Sequence, residues 1–199
     1  MTTARVPLAP DAWLDVDPLW LAPDEAQRAL QAVREELRWE QREIVLYGRR
    51  VMQPRLVAWG GALPYRYSGQ TLEPRPFTPT VADLLARVGA RAGIPFDHVL
   101  ANRYRDGRDS MGFHADDEAE LGPDPVVATL SLGATRRLVV RPRKGNPSTP
   151  SPSSFDLASG SLLIMGGRCQ ALFHHGIPRQ PAVLDERISL TFRWLRSSP

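Results

Sequence analysis

The side chains best suited to metal chemistry are a histidine and an aspartate one residue apart, His114 and Asp116, and a later histidine pair, His174 and His175. Two imidazoles and one carboxylate from these positions can supply three ligands to one face of an octahedral metal. That arrangement leaves neighbouring positions for a chelating cosubstrate and for O2, which suits Fe(II). On a strand, adjacent histidines point to opposite faces, so only one of the pair enters the site. Spacing alone does not choose between His174 and His175.

Two segments carry polar side chains at alternate positions, as expected for strands that line a site. In the segment NRY, Asn102 and Tyr104 share a face. In RISLTFR at residues 187–193 the residues on one face are Arg187, Ser189, Thr191 and Arg193. An arginine can bind a carboxylate through two parallel hydrogen bonds. A barrel-like sheet with a polar interior would therefore hold an anionic cosubstrate beside the metal.

The elements that position these residues follow from the hydrophobic periodicity. A helix is predicted from Pro23, where Ala26, Leu30 and Val33 recur at helical spacing, and a second helix over 79–92, ended by Gly93. The second half reads instead as short apolar strands bounded by Gly, Pro or Asp: HVLANRY, VVATLSL, RRLVVRP, SLLIMG and ISLTFRW. The pattern predicts an α+β, mainly β fold, with a β-sandwich or jelly roll buttressed by N-terminal helices.

The remaining segments are less regular. Residues 1–19 alternate small, proline and acidic residues without a usable period, which predicts an irregular lead-in. Residues 43–59 predict a strand pair whose tip is the basic segment 49–55. The Pro/Ser-rich segment 144–154 predicts a surface loop.

Composition limits the class of protein. A chain of 199 residues without a second compositional block predicts a single domain, 1–199. Neither an apolar run long enough for a membrane span nor a signal segment is present, and Cys169 is the sole cysteine, so we expect a cytoplasmic monomer without disulfides. The net charge of +3 and a pI near 9.5 favour a polyanionic partner.

Taken together and in order, NRYRDG…FHADDE, LASGSLLIMG, FHHGIPR and RISLTFRWL resemble the AlkB family of Fe(II)- and 2-oxoglutarate-dependent dioxygenases, over roughly residues 42–195. The resemblance implies a double-stranded β-helix core at about 96–199, with an N-terminal extension, helices and a substrate-recognition hairpin region at about 1–95. It implies that the iron ligands are His114, Asp116 and His175, since His175 precedes the Gly-Ile-Pro segment. The residues that it assigns to 2-oxoglutarate are Asn102, Tyr104, Arg187, Ser189, Thr191 and Arg193. The family usually has asparagine where this chain has Ser189, and serine reaches less far.

On the substrate side, the resemblance assigns Tyr65, Arg66 and Tyr67 to packing against a flipped base, and Asp117 and Glu118 to its exocyclic amine. Aromatic rings and carboxylates both favour a cationic methylated base. The hairpin at 42–55 would contact the DNA backbone or insert an apolar wedge from its tip, residues 51 and 52.

The activity implied is oxidative demethylation of 1-methyladenine or 3-methylcytosine type bases in DNA. The reaction uses Fe(II), consumes O2 and 2-oxoglutarate, and releases formaldehyde, succinate and CO2. The alternatives are the same chemistry on RNA, a nucleotide or a protein, and a catalytically silent nucleic-acid-binding module. The partners expected are alkylated DNA or RNA and O2, with no membrane.

Overall fold

A computed structural model describes residues 4–46, 49–67, 69–143 and 153–196, without the side chains at positions 4, 45, 46 and 67. Fifteen strands lie in these ranges, most of them four to seven residues long. In chain order the strands are β1 (Ala4–Ala9), β2 (Ala12–Asp17), β3 (Glu43–Leu46), β4 (Arg49–Met52), β5 (Leu56–Gly61), β6 (Tyr65–Tyr67), β7 (Gln70–Leu72), β8 (His98–Tyr104), β9 (Met111–His114), β10 (Val127–Gly133), β11 (Arg136–Pro142), β12 (Ser153–Leu157), β13 (Leu162–Gly167), β14 (Phe173–Ile177) and β15 (Arg187–Arg193). The helices are α1 (Pro23–Glu36), α2 (Pro79–Ala92) and α3 (Cys169–Leu172).

Two antiparallel sheets form the core of the fold. The major sheet has seven strands in the order β1-β2-β13-β10-β15-β8-β5, and the minor sheet has four in the order β12-β11-β14-β9. Ribbons β3–β4 and β6–β7 are separate two-stranded pairs. This mainly β architecture with buttressing helices confirms the predicted jelly-roll class. Strands β1, β2 and β5 bring the N-terminal half of the chain into the same sheet as the C-terminal strands.

The prediction of an irregular lead-in over residues 1–19 was wrong. Strands β1 and β2 form a hairpin, and β2 pairs with β13, with Leu14 opposite Met165. Leu14 is fully buried. The period-two signal is short and interrupted, because the register of β1 shifts between Pro7 and Ala9 and because Asp15 is buried next to Leu14 on β2.

Helices α1 and α2 cover one face of the major sheet, as their apolar periodicity predicts. Both begin with a proline in the first turn, and Gly93 ends α2 in the left-handed conformation with φ 67°. Val33 of α1 and Val88 of α2 are buried in one cluster with Ile188, Leu190 and other residues of β15 and β10. The even-numbered residues of β15 therefore face the helices, and its odd-numbered residues face the minor sheet. No helix in the described part of the chain is long and apolar enough to span a membrane.

The strand pair predicted over residues 43–59 also needs correction. The basic segment is not the tip of that pair, because β4 is itself a strand that pairs with β3, while β5 is an edge strand of the major sheet paired with β8. Gln53 and Arg55 lie between the two strands and are buried. The chain thus turns inward at Pro54, which separates the exposed ribbon from the core strand. Residues 47 and 48, and most of the predicted loop 144–154, lie outside the described residues.

Candidate metal and cosubstrate site

A cavity between the two sheets is lined by every residue predicted to bind metal or cosubstrate. Strand pairing explains the convergence from β15 and β8: Arg187 lies opposite Tyr104, and Ser189 lies opposite Asn102. Opposed residues in an antiparallel pair project to the same face. The lining residues from these two strands are Asn102, Tyr104, Arg187, Ser189, Thr191 and Arg193.

The three predicted metal ligands come together at the side of this cavity formed by the minor sheet. His114 on β9 is paired directly with His175 on β14, and their ring centroids are 4.4 Å apart. Asp116 follows two residues after His114, and one ligand atom from each residue lies within 4.8 Å of the others. The Nε2 atom of His175 is 3.6 Å from Oδ2 of Asp116. The neighbouring His174 points away, toward Arg143, whose Nε lies 3.1 Å from its Nε2.

The protonation states of the three groups suit metal binding. Burial, helped by the proximity of His114, lowers the pKa of His175 to about 3, and burial also lowers the pKa of His114. Burial alone would raise the pKa of Asp116, but the Arg193 guanidinium and the two imidazoles outweigh burial and hold that pKa well below its usual range. Neutral imidazoles and an ionised carboxylate are the forms that coordinate a metal.

Arg193 contacts Asp116 rather than standing free in the cavity. Its Nη2 and Nε atoms lie 2.5 Å and 3.2 Å from Oδ1 of Asp116. Among the described residues, Oδ2 of Asp116 and Nη1 of Arg193 have no hydrogen-bond partner. The arginine therefore occupies one carboxylate oxygen and leaves the other directed toward the two histidines, as a monodentate ligand requires.

Gln170 is a site residue that sequence reasoning missed. It is buried on the single-turn helix α3, and its Oε1 accepts a hydrogen bond of 3.0 Å from the backbone N–H of Asp116. Asp116 lies just beyond the end of β9, so this bond fixes backbone that no strand pairing holds. A lone glutamine in a short loop helix carries no periodic signal, which is why the sequence did not reveal it.

The far end of the cavity is built to receive an anion. Arg187 is fully buried, and its Nη2 donates to Oγ of Ser131 at 2.7 Å. Its Nε and Nη1 have no hydrogen-bond partner in the described part of the chain. Burial, together with the charge of Arg136, lowers the pKa of Arg187. A buried guanidinium with unused donors is a site for a carboxylate, because an unpaired buried charge is costly.

Two other predicted cosubstrate residues already have protein contacts. Oδ1 of Asn102 accepts a 2.7 Å hydrogen bond from Nε of Arg55, a residue that the sequence placed in the hairpin region rather than in the site. The hydroxyls of Thr191 and Thr129 are 3.5 Å apart across β15 and β10. Ser189 lines the cavity without such a contact among the described residues.

The residues predicted to contact substrate are less uniform. Tyr65 is fully buried, with its ring 4.7 Å from the His98 ring and 5.5 Å from the Arg193 guanidinium carbon. Glu118 is partly buried near Tyr65, and burial together with the charge of Asp116 raises its pKa. Asp117 is exposed and pairs with Arg143 at 2.6 Å. Arg66 is exposed, and the side chain of Tyr67 lies outside the described atoms.

The β3–β4 ribbon beside these residues presents an exposed basic and apolar strand. All four residues of β4 are exposed, including Val51 and Met52, the two positions of the predicted wedge. Arg42 anchors the base of the ribbon, since its Nε and Nη2 donate to Oε1 of Gln70 at 2.9 Å and 2.8 Å.

The chain is similar to known 2-oxoglutarate-dependent oxygenases. The family model described as 2OG-Fe(II) oxygenase superfamily matches residues 15–193. Alpha-ketoglutarate-dependent dioxygenase alkB homolog 3 of Rattus norvegicus is 38% identical over 181 residues, covering 88% of this chain and 61% of the relative. DNA oxidative demethylase ALKBH2 of Homo sapiens is 37% identical over 156 residues, covering 75% of this chain and 60% of the relative. The solved structure of OsALKBH1 shares the fold, with a TM-score of 0.58, 18% identity and coverage of 96% of this chain and 100% of that chain.

The site and the family match define a 2-oxoglutarate-dependent, iron-containing class of oxygenase. Within that superfamily the chain belongs to the AlkB family. It spans about three fifths of the length of the curated relatives it matches. The family uses Fe(II) and 2-oxoglutarate, and two observations fit these groups: an unpartnered oxygen of Asp116 beside two neutral imidazoles, and unused donors on the buried Arg187.

Proposed function

We propose that the protein oxidatively demethylates N-alkylated nucleobases of the 1-methyladenine and 3-methylcytosine type in DNA. The observation that carries this proposal is the convergence, in one cavity, of a His-Asp-His cluster and a buried arginine with free donors. The names of the relatives, a dioxygenase and a DNA oxidative demethylase, support the same activity.

In this proposal His114, Asp116 and His175 hold the iron, and Arg187 binds the carboxylate of 2-oxoglutarate that lies remote from the metal. When bound, Fe(II) would supply the oxidative chemistry: 2-oxoglutarate would take one oxygen atom of O2 and become succinate and CO2, and the other oxygen atom would be inserted into a C–H bond of the substrate methyl group. The resulting N-hydroxymethyl group would then lose formaldehyde: the electrons of the N–C bond return to the ring nitrogen as its lone pair, and the hydroxyl proton leaves to solvent. Asn102, Tyr104, Ser189 and Thr191 complete the wall around the cosubstrate.

The protein contributes positioning and exclusion of water. Leu138, Leu157, Leu163 and Met165 line the inner wall of the cavity, so the reacting groups meet in a largely apolar enclosure. Arg193 keeps Asp116 ionised and leaves Oδ2 for the metal. These contacts fix the ligand geometry before any substrate arrives.

The substrate side of the proposal relies on charge and on an aromatic ring. Tyr65 and Glu118 lie beside the metal cluster, and a cationic methylated base would be attracted to both the ring and the carboxylate. Because Tyr65 is buried against His98, we expect the β6–β7 ribbon to shift when a base enters. The exposed Arg49 and Arg50 on β4 supply positive charge for the phosphate backbone.

The test is incubation of the full chain with Fe(II), ascorbate, 2-oxoglutarate and a single-stranded DNA oligonucleotide that carries one 1-methyladenine. We expect a mass loss of one methylene equivalent on the oligonucleotide and the release of formaldehyde, both dependent on 2-oxoglutarate. Matched duplex DNA, RNA and free-nucleotide substrates identify the preferred polymer. Consumption of 2-oxoglutarate without repair of any nucleic-acid substrate would contradict the proposed substrate class. Absence of both reactions would contradict the proposed dioxygenase activity.

A further inference from the structure

Arg136 is a fully buried arginine outside the predicted site, and no carboxylate pairs with it among the described residues. Its guanidinium donates instead to three backbone carbonyls, those of Asp106 at 3.0 Å, Asp109 at 2.8 Å and Pro178 at 2.9 Å. A fourth contact, from Nε to Oε1 of Gln180, is 3.3 Å long. Burying a guanidinium among neutral acceptors is unfavourable, and the nearby carboxylates of Asp109 and Asp106 offset part of that cost.

The acceptors belong to the two loops that flank the site strands. Asp106 and Asp109 lie between β8, which carries Asn102 and Tyr104, and β9, which carries His114. Pro178 follows β14, the strand of His175, and precedes β15. Arg136 therefore connects the cosubstrate strand to the ends of both metal-ligand strands.

The same two loops are held directly against each other at Gly107. Its N–H donates to the carbonyl of Val183 at 2.7 Å, and its carbonyl accepts from the N–H of Gln180 at 2.8 Å. A Cβ atom at Gly107 would lie 1.8 Å from the carbonyl oxygen of Gln180, so only glycine allows this approach. Arg136 thus acts within a close-packed junction that leaves its guanidinium little freedom.

Tyr104 lies between Arg136 and Arg187, the arginine with unused donors in the cavity. The ring of Tyr104 is 5.4 Å from the Arg136 guanidinium carbon and 5.3 Å from that of Arg187. Tyr104 is buried, and two positive charges therefore flank one phenol inside the protein. The two arginines repel each other, which a carboxylate bound at Arg187 would relieve.

We propose that Arg136 is a positioning residue that favours a dianionic 2-oxo acid over a monoanionic one. It holds Tyr104 in place and supplies a second fixed positive charge behind Arg187, so its effect falls on the carboxylate remote from the metal. This inference rests on the proposed placement of that carboxylate at Arg187. It predicts a selective loss of affinity for dicarboxylic 2-oxo acids when Arg136 is replaced.

The experiment compares Arg136→Gln, Arg136→Lys and Arg187→Gln with the control Arg137→Gln in the full chain loaded with Mn(II), which binds without turnover. Arg137 is the next residue of the same strand and faces the opposite side, where its exposed side chain pairs with Asp156 at 3.3 Å. Calorimetry measures the affinities for 2-oxoglutarate, for 2-oxobutyrate, which lacks the remote carboxylate, and for Mn(II) itself.

For Arg136→Gln we expect binding of 2-oxoglutarate to weaken by about tenfold or more, as when a supporting residue of a metal site is removed. Binding of 2-oxobutyrate and Mn(II) should stay within about twofold, because neither ligand uses the remote charge. Arg136→Lys, which keeps the charge, should recover part of the loss, and Arg137→Gln should bind like the wild type. In the demethylation assay Arg136→Gln should raise the KM for 2-oxoglutarate by a larger factor than it lowers kcat.

Equal weakening of both 2-oxo acids, or no weakening of either, would overturn the role of Arg136. If Arg187→Gln alone loses 2-oxoglutarate binding, the proposed cosubstrate site stands and only the Arg136 inference fails. If Arg187→Gln binds 2-oxoglutarate as the wild type does, the proposed carboxylate placement fails as well. Should Arg136→Gln not fold, Arg136→Lys is used instead. A ratio of 2-oxoglutarate affinity to 2-oxobutyrate affinity below that of the wild type supports the role of Arg136, and an unchanged ratio overturns it.

Discussion

Arg193 holds one oxygen of Asp116 and leaves the other directed toward His175. The pair is almost fully buried, and each partner shifts the other toward its charged form: burial opposes the charge on both residues, but Asp116 raises the pKa of Arg193, and Arg193 lowers that of Asp116. This contact gives Arg193 a role beyond the carboxylate clamp predicted from the sequence, since it also orients a candidate metal ligand.

Replacing Arg193 should therefore weaken metal binding as well as cosubstrate binding. Arg193→Met leaves Asp116 buried without its partner, and we expect about tenfold weaker Mn(II) binding and a loss of stability on the order of 3 kcal/mol. Arg187→Met, which leaves the metal cluster intact, should weaken only 2-oxoglutarate binding. Calorimetry with Mn(II), followed by 2-oxoglutarate, separates the two; unchanged Mn(II) affinity in Arg193→Met would show that the contact does not support the metal.

The two adjacent histidines should differ sharply in function. His175→Ala removes a side chain of the metal cluster and should abolish turnover and weaken Mn(II) binding. His174→Ala removes a side chain on the opposite face of β14, next to Arg143, and should retain most activity. Turnover measured as 2-oxoglutarate consumption tests both variants, and the reverse pattern would reassign the ligand.

Gln170 should support the metal site through the backbone of Asp116. Gln170→Leu keeps the approximate volume but removes the acceptor for the Asp116 N–H, so we expect Mn(II) affinity to fall by about tenfold. Arg168→Gln is the matched control, because Arg168 is exposed just before the same short helix. Equal Mn(II) affinities in the two variants would rule out this role.

His98 should make the stability of the protein depend on pH. Burial, with a contribution from the nearby Arg193, lowers its pKa to about 3, and neither ring nitrogen has a hydrogen-bond partner among the described residues. The unfolded chain then binds more protons than the folded chain between pH 3 and the usual value of 6.5. The contribution of His98 to stability is thus complete above about pH 6.5 and decreases by at most about 1.4 kcal/mol per pH unit as the pH falls through that window.

His98→Phe removes this titration while keeping a ring against Tyr65. Urea unfolding of the wild type and of His98→Phe at pH 5 and pH 7 should show a smaller pH difference for the variant. At pH 7 the variant should be at least as stable as the wild type, because no unpaired ring nitrogen is buried. An identical pH difference in both proteins would mean that His98 does not titrate in this range.

The sequence predicted which side chains meet at the cavity better than it predicted the strands around them. The alternation of residues along β15 placed Arg187 and Arg193 on one face, and helical spacing predicted both long helices. Strand β2 was missed because its partner β13 lies about 150 residues away in the chain and because its own six residues carry only a short, interrupted alternation. Gln170 was missed for a related reason, since it reaches Asp116 through one hydrogen bond between residues far apart in the chain.

The unused donors of Arg187 have a thermodynamic consequence for the whole molecule. Before a carboxylate binds, folding must bury the positive charge of Arg187 away from water. The electrostatic cost of this burial lowers the stability of the folded state. A dicarboxylate that binds only the folded chain shifts the unfolding equilibrium by about 2.7 kcal/mol at a hundredfold excess over its dissociation constant. The melting temperature of the metal-loaded protein should consequently climb as 2-oxoglutarate is titrated, so the cosubstrate doubles as a conformational stabiliser.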